Sequence, residues 1–295
     1  MKNIAVMLNS YKDPEYVRSR RILSQLQSLG AQIFLDISHK DKCSLQGIHY
    51  YEGNLPSEAE MILVLGGDGS VLDAAVLALA ADIPLLGINL GRLGYLAELE
   101  PNEPEPFERL IREDYSLREH MTFEVSLERG GEETKLSRSA VNDVVLSQIQ
   151  GGGMSEIQME DGVGNQIGYL ADGVIVATPL GSTAYSLSAG GPVIDASLSA
   201  FCVTPICAHS LFSRSVIFPP DYTITLRNNS SREADMQVTL DGGTPYLLSP
   251  GDCVKIKRSQ RVLRMISLEN HAVLGVLSRK MQLLNPIVER RSHEE

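Results

Sequence analysis

A glycine-rich segment with one acidic residue is the strongest chemical motif in the chain: residues 65–70 read Leu-Gly-Gly-Asp-Gly-Ser. It follows a predicted strand and precedes a predicted helix. Glycines let the backbone approach a ligand, and a helix N-terminus offers unpaired N–H groups to an anion such as phosphate. Asp68 would repel phosphate, so we expect it to hold a metal ion or to accept a proton from an attacking hydroxyl. The alternative is a glycine turn in which Asp68 only caps the helix.

The segment differs from the common nucleotide-binding loops. Leu72 stands where the third glycine of GxGxxG would be, no GxxxxGK[ST] occurs in the chain, and the loop contains no lysine that reaches the phosphates. A second glycine segment, residues 87–96, follows the next predicted strand. We expect it to lie beside the first segment, and an ordinary strand-to-loop turn is the alternative.

Two polar residues, Asn142 and Asp143, interrupt the apolar run 140–146. Burial without hydrogen-bond partners would cost about 1–3 kcal/mol for each side chain. We therefore expect partners for both. Ribose hydroxyls or a base edge would satisfy them, and an internal turn network is the alternative.

Residues 173–213 carry one formally charged side chain, Asp195, when His209 is counted as neutral. Within this stretch, residues 178–192 are rich in glycine and small hydroxyl side chains, and Tyr185 is suited to stacking on a planar ring. Such neutral donors favour a nucleoside ligand over a charged one, with a tightly packed core turn as the alternative. We interpret His209 as a core residue rather than a catalytic one.

The composition is that of a folded, acidic protein. The 295 residues include 26 Lys and Arg against 37 Asp and Glu, a net charge of −11, with 43% hydrophobic residues. This length favours two domains, and the negative charge disfavours nucleic acid or an anionic membrane as partner. The four cysteines lack zinc or disulfide spacing and read as buried free thiols, and the short apolar start lacks the features of a signal peptide. The sequence therefore predicts a cytoplasmic protein.

The two halves of the chain differ in pattern. Short apolar strands alternate with helices up to about residue 115, which predicts an N-terminal Rossmann-like parallel α/β domain over 1–115. Here Ser70 is expected to cap a helix over 71–81. Residues 116–271 contain short β-rich runs separated by turn residues, which predicts a β-sandwich-like domain. We expect the tail 272–295 to pack on the first domain and to be helical over 275–284.

Taken together, these segments resemble the NAD kinase family. The matching segments occur in the family's order and span most of the chain: residues 66–70, 142–143, 172–173, 181–192, the region of His209, and 241–243. The glycine-aspartate loop alone is shared with lipid kinases and phosphofructokinases. The run Gly-Ser-Thr-Ala-Tyr-Ser-Leu-Ser-Ala-Gly-Gly-Pro at 181–192 is highly specific.

The resemblance implies ATP-dependent phosphorylation of NAD at the 2′-hydroxyl of its adenosine ribose, which gives NADP. It implies ATP as phosphoryl donor, Mg²⁺ as divalent cation, a homo-oligomer (dimer or tetramer) and a NAD-binding role for the β-rich domain. Asp68 would accept the hydroxyl proton. The resemblance also implies phosphate-binding glycines (Gly66, Gly67 and Gly69) and contacts to the ribose and base (Asn142 and Asp143). It further implies a residue at the nicotinamide side (Asp172) and a nucleoside pocket lined by Thr183, Ala184, Tyr185, Ser186, Leu187 and Ser188.

Four positions depart from the family pattern: Ser70 and Leu180 where threonine is usual, Gly243 where glutamine is usual, and Gly153 where a basic side chain or histidine is common. The last three remove polar contacts from the rim of the site. Two other functions stay open. A lipid kinase shares the glycine-aspartate loop, and a non-catalytic dinucleotide sensor would keep the Tyr185 pocket without needing Asp68.

Overall fold

The computed structural model of the protein describes residues 2–91, 94–97, 99, 105–149, 155–209, 213–230 and 236–268. The chain divides into two compact units, the first comprising Met1–Arg118 and Arg264–Glu295 and the second comprising Glu119–Leu263. The tail 272–295, expected to pack on the first domain, lies outside the described residues. The domain boundaries expected at residues 115 and 271 therefore stay predictions.

The first unit alternates strands with helices. Its described elements are β1 (Asn3–Leu8), α1 (Val17–Ser28), β2 (Gln32–Asp36), a 3₁₀ helix (Ile37–His39), β3 (Ile48–Tyr51), β4 (Met61–Gly66), α2 (Asp68–Ala81), β5 (Leu85–Asn89) and α3 (Glu105–Ile111). The strands pair in parallel in the order β3-β2-β1-β4-β5. The strand order reverses between β1 and β4, and open α/β sheets bind ligands at the carboxyl ends of the strands at such a reversal.

Burial in this unit follows from the parallel sheet. All residues of β4 and β5 are buried, as expected for strands covered on both faces. In α1, Ile22, Leu23 and Leu26 recur at helical spacing and are buried in the unit's core. The helix ends at Ser28, and Gly30 just beyond it has a φ of 89°, the left-handed conformation that glycine favours after a helix.

Helix α2 begins earlier than the sequence predicted. Its N-cap is Gly67 and its first residue is Asp68, so Ser70 lies within the first turn and the prediction that Ser70 caps the helix was wrong. Strand β4 ends at Gly66, and the extended Gly67 that follows it leaves Asp68 in the first helical turn. A carboxylate is favourable in that turn because the positive end of the helix dipole lies there.

The second unit is built from short strands. The elements here are β6 (Ser116–Arg129), β7 (Glu132–Lys135), β8 (Asp143–Gln148), β9 (Ser155–Glu160), β10 (Gln166–Ala171), β11 (Gly173–Ala177), a 3₁₀ helix (Leu180–Thr183), α4 (Tyr185–Ser188), β12 (Phe201–Ile206), β13 (Val216–Phe218), β14 (Thr223–Asn228), β15 (Met236–Leu240), β16 (Tyr246–Leu248) and β17 (Cys253–Ser267). Strand β6 begins, and β17 ends, among residues of the first unit.

These strands form two antiparallel layers. One has the order β10-β9-β14-β17, with β6 also paired to β17 and β7 to β6, and the other has the order β13-β12-β11-β8-β15-β16. Side chains of both layers share one core, which includes Phe123, Val176 and Ile224. Phe123 stacks on Phe201 with ring centroids 4.9 Å apart. The predicted fold class, a Rossmann-like parallel α/β domain followed by a β-sandwich-like domain, is confirmed.

Some local predictions were wrong. Asn142 lies just before β8, so the apolar run 140–146 is a strand only from Asp143 onward, and β17 is one strand of 15 residues rather than a short run. Cys43, Cys202 and Cys253 are buried free thiols as predicted, whereas Cys207 is exposed. Among the described residues, no helix is both long enough and apolar enough to span a membrane.

Candidate active site

Asp68 is held by the second glycine segment. Its Oδ2 accepts the backbone N–H of Tyr95 at 2.8 Å, and its Oδ1 accepts that of Leu96 at 3.0 Å and, more weakly, that of Ala97 at 3.4 Å. These donors belong to the chain after β5 and not to α2, so Asp68 is more than a cap of its own helix. The expectation that the two glycine segments lie beside each other is confirmed.

Glycines make this approach sterically possible. A Cβ atom at Gly94 would lie 2.8 Å from the Cγ of Asp68 and would collide with its Oδ1. A Cβ at Gly66 would lie 2.5 Å from the Oγ of Ser70, which accepts a 2.7 Å hydrogen bond from the Asn9 side chain. Two glycines therefore bring the loops after β1, β4 and β5 together around the start of α2.

This arrangement provides two chemical capacities within the first unit. A carboxylate has about four lone-pair sites, so Asp68 can accept a further hydrogen bond beyond those from the 95–97 backbone. The first backbone N–H groups of a helix have no partner inside it, and those at Asp68 and Gly69 occupy these positions in α2. A hydroxyl can be oriented by the carboxylate while an anion is bound by the amides.

A second cluster, in the second unit, is organised by Asp241. This residue has a φ of 50°, and its carboxylate is completely buried. It accepts the backbone N–H of Val141 at 2.9 Å, of Asn142 at 2.7 Å and of Asp143 at 3.1 Å. Asp241 thus fixes the backbone that carries the two polar residues singled out in the sequence.

Asp143 and Asp241 form a buried acidic pair. Burial, and secondarily the neighbouring Asp241 carboxylate, raise the pKa of Asp143 to about 7. Burial also raises the pKa of Asp241, but three backbone N–H donors and Arg138 favour its charged form. The proton of the pair therefore belongs on Asp143, and Asp241 carries the negative charge.

Asn142 has an unsatisfied buried oxygen. The residue is 8% exposed, and its Oδ1 has no hydrogen-bond partner among the described residues. Leaving such an acceptor unpaired costs about 1–3 kcal/mol, so a donor from a ligand would stabilise it. The internal turn network considered from the sequence accounts for the backbone of Asn142 and leaves this side-chain atom unpaired.

The small-residue segment packs directly on Asn142. A Cβ at Gly181 would lie 2.6 Å from the Cα of Asn142 and closer still to its carbonyl. The Thr178 hydroxyl donates to the Val141 carbonyl at 2.7 Å and accepts the Gly181 N–H at 3.0 Å. The structure therefore brings residues 180–183 together with Asn142 and Asp143, although some 40 residues separate them in sequence.

The predicted nucleoside-lining residues divide by exposure. Tyr185 is 47% exposed and Ser188 is exposed, while Thr183, Ala184 and Leu187 are half-buried. Ser186 is fully buried, and its hydroxyl lies 3.1 Å from that of Thr204. Tyr185 is thus available to a ring, whereas Ser186 fixes the segment from inside.

Asp172 lies far from Asn142 and Asp143 within the second unit. It precedes β11, whose first residue pairs with Ser147 and whose last residue, Ala177, pairs with Asp143. At about 3.4 Å per residue, five residues along the strand correspond to about 17 Å. Its carboxylate accepts a 3.0 Å hydrogen bond from Gln148. The structure therefore places Asp172 and Asn142 at opposite ends of the β8–β11 pair.

The structure explains one departure from the family pattern, Gly243 in place of the usual glutamine. A Cβ at Gly243 would lie 3.2 Å from Nη1 of Arg138, so the missing side chain leaves room for this guanidinium. Nη2 of Arg138 lies 4.0 Å from Asp241, and the buried Nε of Arg138 has no partner among the described residues.

Leu180 is half-buried, and Gly153 lies outside the described residues. His209 is exposed, so its interpretation as a core residue was wrong.

Sequence reasoning missed the roles of Asn9, Arg138 and Asp241. Asn9 follows β1, and its position at the carboxyl end of a parallel strand was a usable signal. Asp241 stands in a segment that the sequence analysis had identified. Its hydrogen bonds with the 141–143 backbone, however, depend on the pairing between β15 and β8. Nothing in the local sequence marks Arg138.

The described residues contain no group of three or more His, Cys, Asp or Glu side chains placed to hold a metal ion. Mg²⁺ usually keeps several waters and binds through one or two carboxylates together with substrate phosphates. Asp68 at the glycine loop suits an ion of this kind, arriving with a nucleotide.

Comparisons with known proteins find the same family in both halves of the chain. A family model described as the ATP-NAD kinase N-terminal domain matches residues 15–115, and one described as the ATP-NAD kinase C-terminal domain matches residues 141–268. The NAD kinase of Symbiobacterium thermophilum is 33% identical over 282 residues, which cover 95% of this chain and 99% of the relative. The NAD kinase of Corynebacterium glutamicum is 38% identical over 226 residues, covering 76% and 77% respectively.

Solved structures show the same fold. Yeast NADH kinase in complex with NADH matches with a TM-score of 0.83 at 22% identity, over 95% of this chain and 87% of that one. An NAD kinase from Archaeoglobus fulgidus in complex with ATP matches with a TM-score of 0.71 at 20% identity, over 94% and 98%. At these identities the likeness concerns the fold alone.

Proposed function

The chain belongs to the NAD kinase family, and on this premise we propose that it transfers the γ-phosphoryl group of ATP to the 2′-hydroxyl of the adenosine ribose of NAD. The products are NADP and ADP. The observation that carries the proposal is the Asp68 carboxylate, presented at the start of α2 by backbone donors from 95–97. It stands where the sheet order reverses, the usual ligand position in this architecture.

Asp68 acts as the proton acceptor in this reaction. The ribose oxygen forms a bond to the γ-phosphorus, the bond from that phosphorus to the β–γ bridging oxygen breaks, and the hydroxyl proton passes to the carboxylate. Phosphoryl transfer depends mainly on positioning and charge stabilisation. Asp68 therefore contributes chiefly by orienting the hydroxyl and receiving its proton late in the transfer.

The backbone amides around Gly66, Gly67 and Gly69 bind phosphate oxygens. Glycine at these positions leaves the N–H groups accessible, and the dipole of α2 favours an anion there. Bound Mg²⁺ would neutralise charge on the phosphates. Asp68 is the residue of this loop that can contact such an ion.

Nucleoside recognition is assigned to the second unit. Asn142 offers an unpaired Oδ1 to a ribose hydroxyl or base amino group, and Asp143 can donate or accept a hydrogen bond beside it. Tyr185 provides an exposed ring for stacking, flanked by Thr183, Ala184, Leu187 and Ser188, while Ser186 positions the segment.

Asp172 is assigned to the nicotinamide end of the dinucleotide. Its separation of about 17 Å from Asp143 along the strand is more than one nucleoside spans, so the two residues act on different parts of an extended ligand. We also propose that the protein works in the cytoplasm as a homo-oligomer without nucleic acid or membrane partners. The net charge of −11 supports the lack of polyanionic partners.

One coupled assay of NADP formation from NAD, ATP and Mg²⁺ tests the function. We expect turnover in the wild type and loss of most kcat in Asp68→Asn, with NAD affinity measured by calorimetry largely unchanged. Near-full turnover of Asp68→Asn would remove Asp68 from the mechanism. Phosphorylation of diacylglycerol instead of NAD would identify a lipid kinase, and NADP binding without any turnover would identify a dinucleotide sensor.

A further inference from the structure

A lysine from another loop reaches the glycine-aspartate loop. Lys12 lies between β1 and α1. Its Cε is 3.9 Å from the position that a Cβ would occupy at Gly67, and its Nζ is 2.9 Å from the corresponding position at Gly91. The side chain therefore runs through space that two glycines leave open, at the carboxyl ends of β4 and β5.

Asn9 fixes the loop that carries this lysine. Its Oδ1 accepts the backbone N–H of Tyr11 at 3.0 Å and of Lys12 at 3.1 Å. Its Nδ2 donates to the Ser70 hydroxyl at 2.7 Å, in the first turn of α2. One side chain thus ties the backbone of Lys12 to the helix that presents Asp68.

The ammonium of Lys12 is not engaged by the acidic residue beside it. Asp13 accepts both the backbone N–H and the hydroxyl of Ser19 at 2.7 Å, so its carboxylate serves the start of α1. Among the described residues, the ion pairs of the first unit are formed by other cations: Lys2, Arg109, Arg112 and Arg264. Lys12 is exposed and forms no ion pair among the described residues, and what distinguishes it from other exposed cations is its place at the carboxyl ends of β4 and β5, where this architecture binds ligands.

We propose that Lys12 binds phosphate oxygens of the nucleotide during phosphoryl transfer, as the cation that the glycine-aspartate loop itself lacks. This inference rests on the proposed function. Negative charge on Asp68 repels phosphate, and an ammonium beside Gly67 and Gly91 offsets that repulsion. Lysine is a common phosphate-binding point charge, and the transferring group carries charge that needs neutralising.

Two phosphate groups in the reaction have the chemistry that Lys12 recognises, the triphosphate of ATP and the pyrophosphate of NAD. Lys12→Met keeps most of the apolar stem and removes the charge. Steady-state kinetics with each substrate varied separately distinguish the two sources, because KM rises for the substrate whose phosphate the lysine holds. A fall in kcat at saturation with both substrates would mean that the contact forms in the transition state.

A hydrogen bond to a charged group contributes substantially to the binding free energy. We therefore expect Lys12→Met to lower kcat/KM for that substrate by about tenfold to a hundredfold. Lys42→Met is the matched control, since Lys42 is an exposed lysine of the same unit, and it should leave both kcat/KM values unchanged. Unchanged kinetics and unchanged ATP and NAD affinities in Lys12→Met would overturn the proposal.

Gly91→Ala provides a second variant that keeps the lysine. The new Cβ would lie 2.9 Å from Nζ of Lys12, the mobile end of a flexible side chain, and Gly91 does not have a left-handed φ. The fold should therefore be retained while the ammonium is displaced. The effect of Gly91→Ala on kcat/KM should disappear in a Lys12→Met background. The same effect in both backgrounds would show that the methyl group itself blocks the site and would contradict the proposal.

Calorimetric titrations with ATP and with NAD separate this proposal from the assigned function. Weaker ATP or NAD binding in Lys12→Met than in Lys42→Met supports the lysine's role even if the wild type does not phosphorylate NAD. Normal NAD kinase activity with no effect of Lys12→Met on kinetics or binding refutes the lysine's role and leaves the assigned function intact.

Discussion

Gly94 lies against the carboxylate of Asp68 so closely that any side chain would displace it. A Cβ at Gly94 would lie 2.8 Å from Cγ of Asp68 and would collide with Oδ1. The adjacent residues Tyr95 and Leu96 donate their N–H groups to the same carboxylate. The position of the proposed proton acceptor is thus set by a glycine 26 residues further along the chain.

We predict that Gly94→Ala lowers kcat strongly. Displacing a catalytic group by about 1 Å can cost about 100-fold in rate, and the new methyl group cannot be accommodated without moving Asp68 or the 95–97 segment. The coupled NADP assay and a thermal melt measure activity and folding separately. Gly168→Ala, at an exposed strand position with open space around it, is the control and should keep wild-type kcat. Full activity of Gly94→Ala would show that the observed contact is unimportant for turnover.

Gly181→Ala should damage the second unit. Its Cβ would lie 2.6 Å from the Cα of Asn142 and closer still to the carbonyl of that residue, and these are backbone atoms that cannot rotate away. Overpacking of this kind costs about 1–3 kcal/mol of unfolding free energy. We expect a lower Tm and a raised KM for NAD that exceeds any change in KM for ATP. A lower kcat with both KM values unchanged would argue that the variant acts by unfolding rather than at Asn142.

Much of the architecture could be predicted because it depends on local patterns. Alternating apolar strands and helices identified the parallel sheet of the first unit, and short β-rich runs identified the antiparallel strands of the second. The start of α2 was misplaced because serine is a strong N-cap, whereas in the fold Gly67 takes that position and Ser70 bonds to Asn9.

The site was predictable only where its residues lie in one segment. Composition alone identifies the glycine-aspartate loop and the run 181–192 as candidate binding segments. The contacts of Asp241 with the 141–143 backbone, and of Asn9 with Ser70, join residues about 100 and 61 positions apart, and depend on which strands pair. Such partners are fixed by tertiary structure, so a single sequence without aligned relatives does not indicate them.

Arg138→Met tests the counter-charge of Asp241. The guanidinium lies 4.0 Å from Oδ2 of Asp241 and is partly exposed, so solvent screens the pair and we expect a loss of about 1 kcal/mol or less in unfolding free energy. The loss should be larger at pH 8 than at pH 5, because the buried acidic pair carries more negative charge at the higher pH. Urea unfolding at both pH values measures it. A loss that is independent of pH would show that Arg138 contributes through packing alone.

Asp143→Asn should stabilise the protein increasingly as pH rises. Burial and the Asp241 carboxylate raise the pKa of Asp143 from an ordinary 3.8 to about 7. Below the ordinary value the group is neutral whether folded or unfolded. Between that value and about pH 7 only the unfolded chain ionises, so the wild type loses stability as pH rises and levels off above pH 7. Asparagine does not titrate, so the Tm of Asp143→Asn relative to wild type should rise between pH 4 and pH 7 and then become constant. Asp41→Asn, at an exposed position, is the control and should show no such trend. A Tm difference for Asp143→Asn that does not change with pH would mean that the pKa of Asp143 is the same in the folded and unfolded chain.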